Sequence, residues 1–172
     1  MPPETKPDWR IRLAQPADRE PVLWLVPRLR GFGTVPLRSA QDLDAGESRT
    51  LNRYFDAPSP VEGARLWVAE SPAGSVEGAA YAERVTDYFT QELHAHLGIL
   101  MVSENAEGRG VARLLVETVE NWARLSGSRF LSLNVFAGNE RARSFYEHAS
   151  FRLDTLRYVK PLGPAGTKPD GT

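Results

Sequence analysis

Two glycines and the residues around them could hold an anion. In the stretch Leu97 to Leu115, LGILMVSENAEGRGVARLL, the apolar run Leu97 to Val102 predicts a strand and Ser103 to Glu107 a polar connection. Gly108, Arg109 and Gly110 then lead into Val111, Leu114, Leu115, Val119 and Trp122, spaced like one face of a helix. A helix opening at a glycine turn presents several backbone N–H groups with no intrahelical partner, and the helix dipole adds partial positive charge there. That is where a phosphate or pyrophosphate would sit. Glycines at 108 and 110, with small Ala112, let such a group approach the backbone. Two better-known loops fit poorly. A Walker loop needs Gly-Lys-Ser or Gly-Lys-Thr entering the helix, where Val111 and Ala112 stand. A dinucleotide fingerprint wants Gly or Ala at 113, which is Arg113, and a carboxylate about 20 residues on, where LSLNV stands.

The elements that position this loop follow from the rest of the chain. Of its 172 residues, 41% are hydrophobic and 25% charged, which suits one globular domain with a sizeable core. The formal net charge of −1 gives no electrostatic reason to expect nucleic acid or an anionic membrane as partner. Without cysteine there is no disulfide, no thiol nucleophile and no thiolate metal site, and no metal is expected. The N-terminal residues lack an apolar signal core and no apolar run approaches a membrane span, so the expected location is cytoplasmic.

In order, WRIRL from Trp9 to Leu13 predicts a strand, and Pro16 to Leu29 a helix that Pro21 and Pro27 could shorten or bend. Ala40 to Phe55 is a second, more polar helix, and DAPSPVEG a loop. Arg65 to Glu70 and Val76 to Val85 form a hairpin around SPAGS; Thr86 to Leu93 connects to a strand from about His94 to Val102. The helix from Gly108 to about Leu125 stops at Ser126 and Gly127. FLSLNVF, Phe130 to Phe136, predicts another strand. Asn139 then caps a helix with Ala142, Phe145, Tyr146 and Ala149 on one face, and Phe151 to Val159 a last strand. Residues 8 to 162 form the expected domain, flanked by short tails without apolar periodicity. The class is α+β, a mixed, mostly antiparallel central sheet flanked by helices.

EGRGVARLL followed by NVFAGNERARSFYEHASF resembles the two signature motifs of the GNAT superfamily of acyl-CoA N-acyltransferases. The first is similar to that family's Gln/Arg-x-x-Gly-x-Gly/Ala loop, with Gly110 and Ala112 on the small positions; the second to its Asn-x-x-Ala-x-x-x-Tyr helix, with Asn139, Ala142 and Tyr146 in place. The order of elements agrees along nearly the whole chain. Glu107 stands where the family has Gln or Arg, and Ser150 where a Gly precedes the aromatic Phe151.

The resemblance implies acetyl-CoA as co-substrate. Backbone amides over Glu107, Gly108, Arg109, Gly110, Val111, Ala112 and Arg113 would hold its pyrophosphate, with Arg109 and Arg113 supplying charge. The pantetheine arm would lie between the strand ending at Val102 and the strand from Phe130, pairing around Leu100, Met101 and Val102, with Asn139 and Ala142 beside it. Asn139 reads equally as a helix cap. Tyr146 is the implied acid for the departing thiolate, and a main-chain N–H near Met101 or Val102 would polarise the carbonyl.

Many members use a carboxylate on the central strand as base. Here that region holds His94 and His96, placed on one face by strand alternation, and His96 is preferred, with Glu83 and Glu92 as fallbacks. Phe32 to Leu37 and Val85 to Leu93 would wall the acceptor side. The implied reaction is acetylation of a primary amine on a small molecule. A catalytically silent acyl-CoA sensor, or an enzyme acting on protein N-termini or lysines, is the alternative. The oligomeric state stays open, a homodimer being one form the resemblance allows.

Overall fold

The computed structural model describes residues 9–33, 35–57 and 62–163. The sheet runs in the order β1-β2-β3-β4-β5: β1 (Arg10–Leu13), β2 (Ala64–Glu70), β3 (Val76–Thr86) and β4 (Leu93–Val102) are antiparallel neighbours, and β5 (Leu131–Leu133) joins β4 in parallel. α1 (Arg19–Trp24) and α2 (Ala40–Asp56) lie in sequence between β1 and β2, α3 (Val111–Leu125) joins β4 to β5, and α4 (Glu140–His148) follows β5. Among the described residues no helix is long and apolar enough to cross a membrane.

Each helix boundary has a local cause. The predicted helix over residues 16–29 is broken into a 3-10 turn at Pro16–Asp18, α1, and a second 3-10 turn at Val26–Arg30. Pro27 has no N–H to bond back along the chain, so the α-helix ends before it. α2 opens on Ser39, whose hydroxyl accepts from Asp42 N while the Asp42 carboxylate accepts from Ser39 N, a reciprocal capping pair. Near β1, Arg12 makes two hydrogen bonds to the buried Asp18 carboxylate, at 2.7 and 2.9 Å, and a third to Glu70 at 2.8 Å.

The sheet buries both faces. Val22, Val26 and Leu51 from the α1–α2 side pack on Leu66, Val68, Ile99 and Met101. On the other side Val111, Leu115, Val116 and Val119 of α3 pack on Trp67, Ala69, Ala80, Ala82 and Leu97. Burying those four α3 side chains contributes on the order of 6–12 kcal/mol as an upper bound. Small residues on β3 let α3 come close: a Cβ on Gly78 would stand 3.0 Å from Val111 Cγ1 and 3.1 Å from the Met101 carbonyl. The first turn of α3, where the glycine loop ends, is thereby seated on the sheet.

One irregularity in β4 shapes the site. The β3 register passes from Tyr81 opposite Ile99 to Ala82 opposite Leu97, so Gly98 is an extra residue, a bulge. Leu97 therefore faces α3 while Ile99 faces α1 and α2, although strict alternation would put them together. β5 pairs with β4 only at Ala95–Leu97, before the bulge. Beyond it the two strands part, leaving Leu100–Val102 with an open edge.

Two expectations are corrected. The predicted strand Phe130–Phe136 is reduced to Leu131–Leu133, because a strand needs a neighbour and β4 diverges past Leu97. The predicted last strand Phe151–Val159 is not formed: no hydrogen bond joins Arg152–Gly163 to any described residue. Most of the two expected tails, and Thr34 within the expected acceptor wall, lie outside the described residues.

Candidate active site

Where β4 and β5 part, the chain forms a cleft with a volume of about 730 Å³. Its floor is Leu100, Met101 and Val102; one wall is Glu107, Gly108, Gly110, Val111, Ala112 and Arg113; the opposite wall is Asn139, Ala142, Phe145 and Tyr146 of α4 and its cap. Of the residues singled out from the sequence for the coenzyme, only Arg109 is absent from this lining; its side chain reaches back to the Asn105 carbonyl at 3.5 Å.

The glycine loop has the form an anion requires. Gly108 and Gly110 adopt left-handed φ of 71° and 83°, and the space where a Cβ would stand is open at both. Leu114 is the first α3 residue whose N–H bonds back to the helix, to Gly110 O at 3.1 Å. The N–H groups of Gly108, Gly110, Val111, Ala112 and Arg113 have no partner among the described residues. These orphan donors at one helix end suit a pyrophosphate, and the open cleft beyond them suits an extended arm.

An ionic bridge spans the mouth. The Glu107 carboxylate takes a short hydrogen bond from Arg28 Nη2 through one oxygen and meets Arg141 Nη2 at 3.0 Å through the other. Arg141, then Arg28, hold this carboxyl below its usual range. Arg28 also bonds Glu104 and reaches toward the Val102 carbonyl at 3.4 Å. Neither arginine was singled out from the sequence. Arg28 lies 79 residues from Glu107 along the chain, a separation no local pattern can bridge. Arg141 sits in the first turn of α4, between two motif residues.

α4 has the cap its sequence announces: Asn139 Oδ1 accepts from Ala142 N at 3.1 Å. Both readings of Asn139 therefore coexist, since it caps the helix and lines the cleft. The Tyr146 ring sits between Phe145 and Phe151, with ring centroids 5.2 and 5.5 Å away. Burial pushes its phenol up to about 12. Ser150 adopts φ of 67°, a left-handed residue at the position where the resemblance expects glycine.

The histidines lie elsewhere on β4. His94 and His96 precede the bulge and share one partner, Ser132 of β5: His94 Nε2 is 3.0 Å and His96 Nδ1 2.8 Å from its hydroxyl. His94 is buried, stacked on Phe130 at 4.3 Å, and its Nδ1 has no partner among the described residues. His96 is half-buried opposite Glu83 in the strand register. Desolvation lowers its pKa, against the raising influence of Glu83. Neither histidine is part of the cleft lining. Of the expected acceptor walls, Phe32 lines the cleft and stacks on Phe136 at 5.5 Å, whereas Tyr88 and Phe89 are exposed at the β3–β4 turn. His148 is exposed, bonded to Ser144 O at 2.7 Å.

Known proteins share this architecture. A model of the acetyltransferase (GNAT) family matches residues 36–151. Mycothiol acetyltransferase of Beutenbergia cavernae is 30% identical over 142 residues, 83% of this chain, which spans less than half, 44%, of that relative's length. Among solved structures, a putative acetyltransferase from Pyrococcus furiosus superposes with a TM-score of 0.72 at 17% identity, over 90% of this chain and all of the other. The aminoglycoside N-acetyltransferase AAC(6')-Iy, solved in complex with CoA, gives 0.68 at 17% identity, over 94% and 99% of the two chains. At such identities the structural likeness speaks for the fold, and the family match covers the glycine loop and the asparagine-tyrosine helix together. The chain belongs to the GNAT acetyltransferase family.

Proposed function

We propose that the protein transfers an acetyl group from acetyl-CoA to a primary amine of a small molecule. The observation that carries this reading is the set of orphan N–H groups at Gly108 and over residues 110–113, opening onto a cleft that reaches Tyr146. The thioester supplies an activated acetyl group and a thiolate leaving group.

The protein's own groups take four tasks. The loop amides and Arg113 hold the coenzyme phosphates. The open edge at Leu100–Val102 pairs with the extended pantetheine arm, and an N–H at Met101 or Val102 donates to the carbonyl oxygen as charge gathers there. Tyr146 donates its phenolic proton to the departing sulfur. His96, whose Nδ1 is engaged by Ser132, takes the ammonium proton of the acceptor on Nε2. A small-molecule acceptor agrees with the mycothiol acetyltransferase relative and with the aminoglycoside N-acetyltransferase among the structural neighbours.

Thermal unfolding with acetyl-CoA, and with NAD as control, tests the donor site. A ligand at about 100 times its Kd adds about 2.7 kcal/mol, enough for a shift of several degrees. A shift with acetyl-CoA alone, followed by thiol release with a member of an amine panel, is the expected result. Absence of any shift refutes the donor site; a shift without thiol release from any amine favours the silent sensor.

A further inference from the structure

Three side chains from distant parts of the chain meet at the mouth of the cleft, and all three line it: Arg28 from the 3-10 turn Val26–Arg30, Glu107 just before the glycine loop, and Arg141 from the first turn of α4. The Glu107 carboxylate takes both guanidinium groups, one on each oxygen. Ion pairs this close to solvent contribute little to stability, and Arg141 is 74% exposed. Two guanidinium groups converging on one acidic group is, however, the arrangement that binds a phosphate.

Arg28 also holds part of the cleft floor, its Nε donating to the Val102 carbonyl at 3.4 Å. Ser103 N donates to Glu77 O of β3 at 2.8 Å, so Val102, one residue back, turns its N–H and C=O to the other side of β4, the open edge. That carbonyl is where an extended arm would pair. Glu107 in turn directly precedes Gly108, the first of the loop N–H groups without a partner among the described residues. The bridge and the coenzyme therefore claim the same groups. Charge sharpens the conflict: with Glu104, also bonded to Arg28, the cluster sets two arginines against two carboxylates and offers an incoming polyanion no net positive charge.

We propose that Glu107 is a stand-in for a phosphate of the coenzyme. Binding replaces its carboxylate on Arg28 and Arg141 with a phosphate group, Arg28 gives up the Val102 carbonyl to the pantetheine arm, and the displaced Glu107 turns to solvent. The carboxylate thereby lowers coenzyme affinity, and by returning to the two arginines it speeds release of the spent coenzyme. Glu107 stands where the motif has Gln or Arg, and neither of those could compete in this way. The proposal rests on the coenzyme-binding part of the acetyltransferase reading.

Calorimetric titration of acetyl-CoA into the full chain and its variants tests it. Glu107→Gln keeps the shape and removes the charge, so it should lower Kd by about tenfold, the phosphate then having the arginines to itself. Arg28→Gln/Arg141→Gln should raise Kd by about tenfold or more, and in that background adding Glu107→Gln should change it by less than about twofold. S-acetylpantetheine, which has no phosphate, should bind wild type and all variants alike within about threefold. Acetyl-dephospho-CoA identifies the phosphate: tightening by Glu107→Gln that persists with it assigns the pyrophosphate, tightening that is lost assigns the 3′-phosphate, and either supports the stand-in. Unchanged or weaker acetyl-CoA binding by Glu107→Gln, tightening that survives loss of both arginines, or equal tightening for S-acetylpantetheine each overturns the proposal. Should the arginine double variant misfold, Arg141→Gln alone takes its place, and the tightening should then shrink at least about threefold. Binding with the expected pattern and no thiol release with any amine leaves the stand-in in place and refutes acetyl transfer; binding without the pattern refutes the stand-in alone; no binding by wild type or any variant refutes both.

Discussion

Tyr146→Phe removes one oxygen from the cleft wall and little else. The ring stays between Phe145 and Phe151, and no hydrogen bond of the phenol to a described residue is lost, so stability should change by less than about 0.5 kcal/mol. The phenol, raised to about 12 by burial, stays protonated through the whole working range of an amine acetylation. An ordinary thiol titrates near 8.5, so handing the proton to a fully formed thiolate is uphill by about 3.5 pKa units, or about 5 kcal/mol. The O–H therefore acts by hydrogen-bonding the sulfur as its negative charge grows, an effect worth about 10²–10³ in rate. The expected result is a fall in kcat of at least about 100-fold, with the Kd for acetyl-CoA unchanged within about threefold. Thiol release measured with a chromogenic disulfide gives the first number, and calorimetric titration the second. In the wild type, no loss of rate should trace to this phenol below about pH 10. A variant within about threefold of wild-type activity refutes the role of acid; a variant that no longer binds the coenzyme refutes the claim that the hydroxyl acts only on the leaving group.

Three further outcomes follow from the geometry. Gly110→Asp puts a carboxylate among the orphan amides at a left-handed position whose Cβ meets no neighbour, so it should cost only about 1–2 kcal/mol of stability while abolishing the acetyl-CoA thermal shift; an undiminished shift would remove the loop from the phosphate site. Arg12→Ala leaves the buried Asp18 carboxylate without its two guanidinium bonds and should cost about 2–3 kcal/mol in urea unfolding at pH 7. The native Asp18 pKa is depressed, first by its hydrogen bonds with Arg12, so the difference between wild type and variant is full above the unfolded value near 4 and shrinks as pH falls below it; a gap as wide at pH 3 as at pH 7 contradicts this pairing. Because desolvation lowers the pKa of His96, the rate should rise to its plateau with a midpoint below the ordinary value near 6.5; a midpoint above 7, or a profile unchanged in His96→Gln, points to another base.

The sequence by itself determined whatever depends on neighbours along the chain. The strand-loop-helix around Gly108 and Gly110, the Asn139 cap, the α2 boundaries and the antiparallel run from β2 to β4 are local facts: side-chain period, φ preference and capping chemistry act within a few residues. The same local signals make the glycine loop and the tyrosine helix recognisable in the bare chain. Only the tertiary structure decided what depends on partners. The bulge at Gly98 moves Leu97 and Ile99 to opposite faces and ends the β5 pairing, which opens the cleft. Arg28 and Arg141 reach Glu107 across separations that periodicity does not encode, and one hydroxyl, that of Ser132, receives both histidines. The pattern over Phe151–Val159 states that the segment could be a strand, but a strand exists only where another edge accepts its hydrogen bonds, and among the described residues none does.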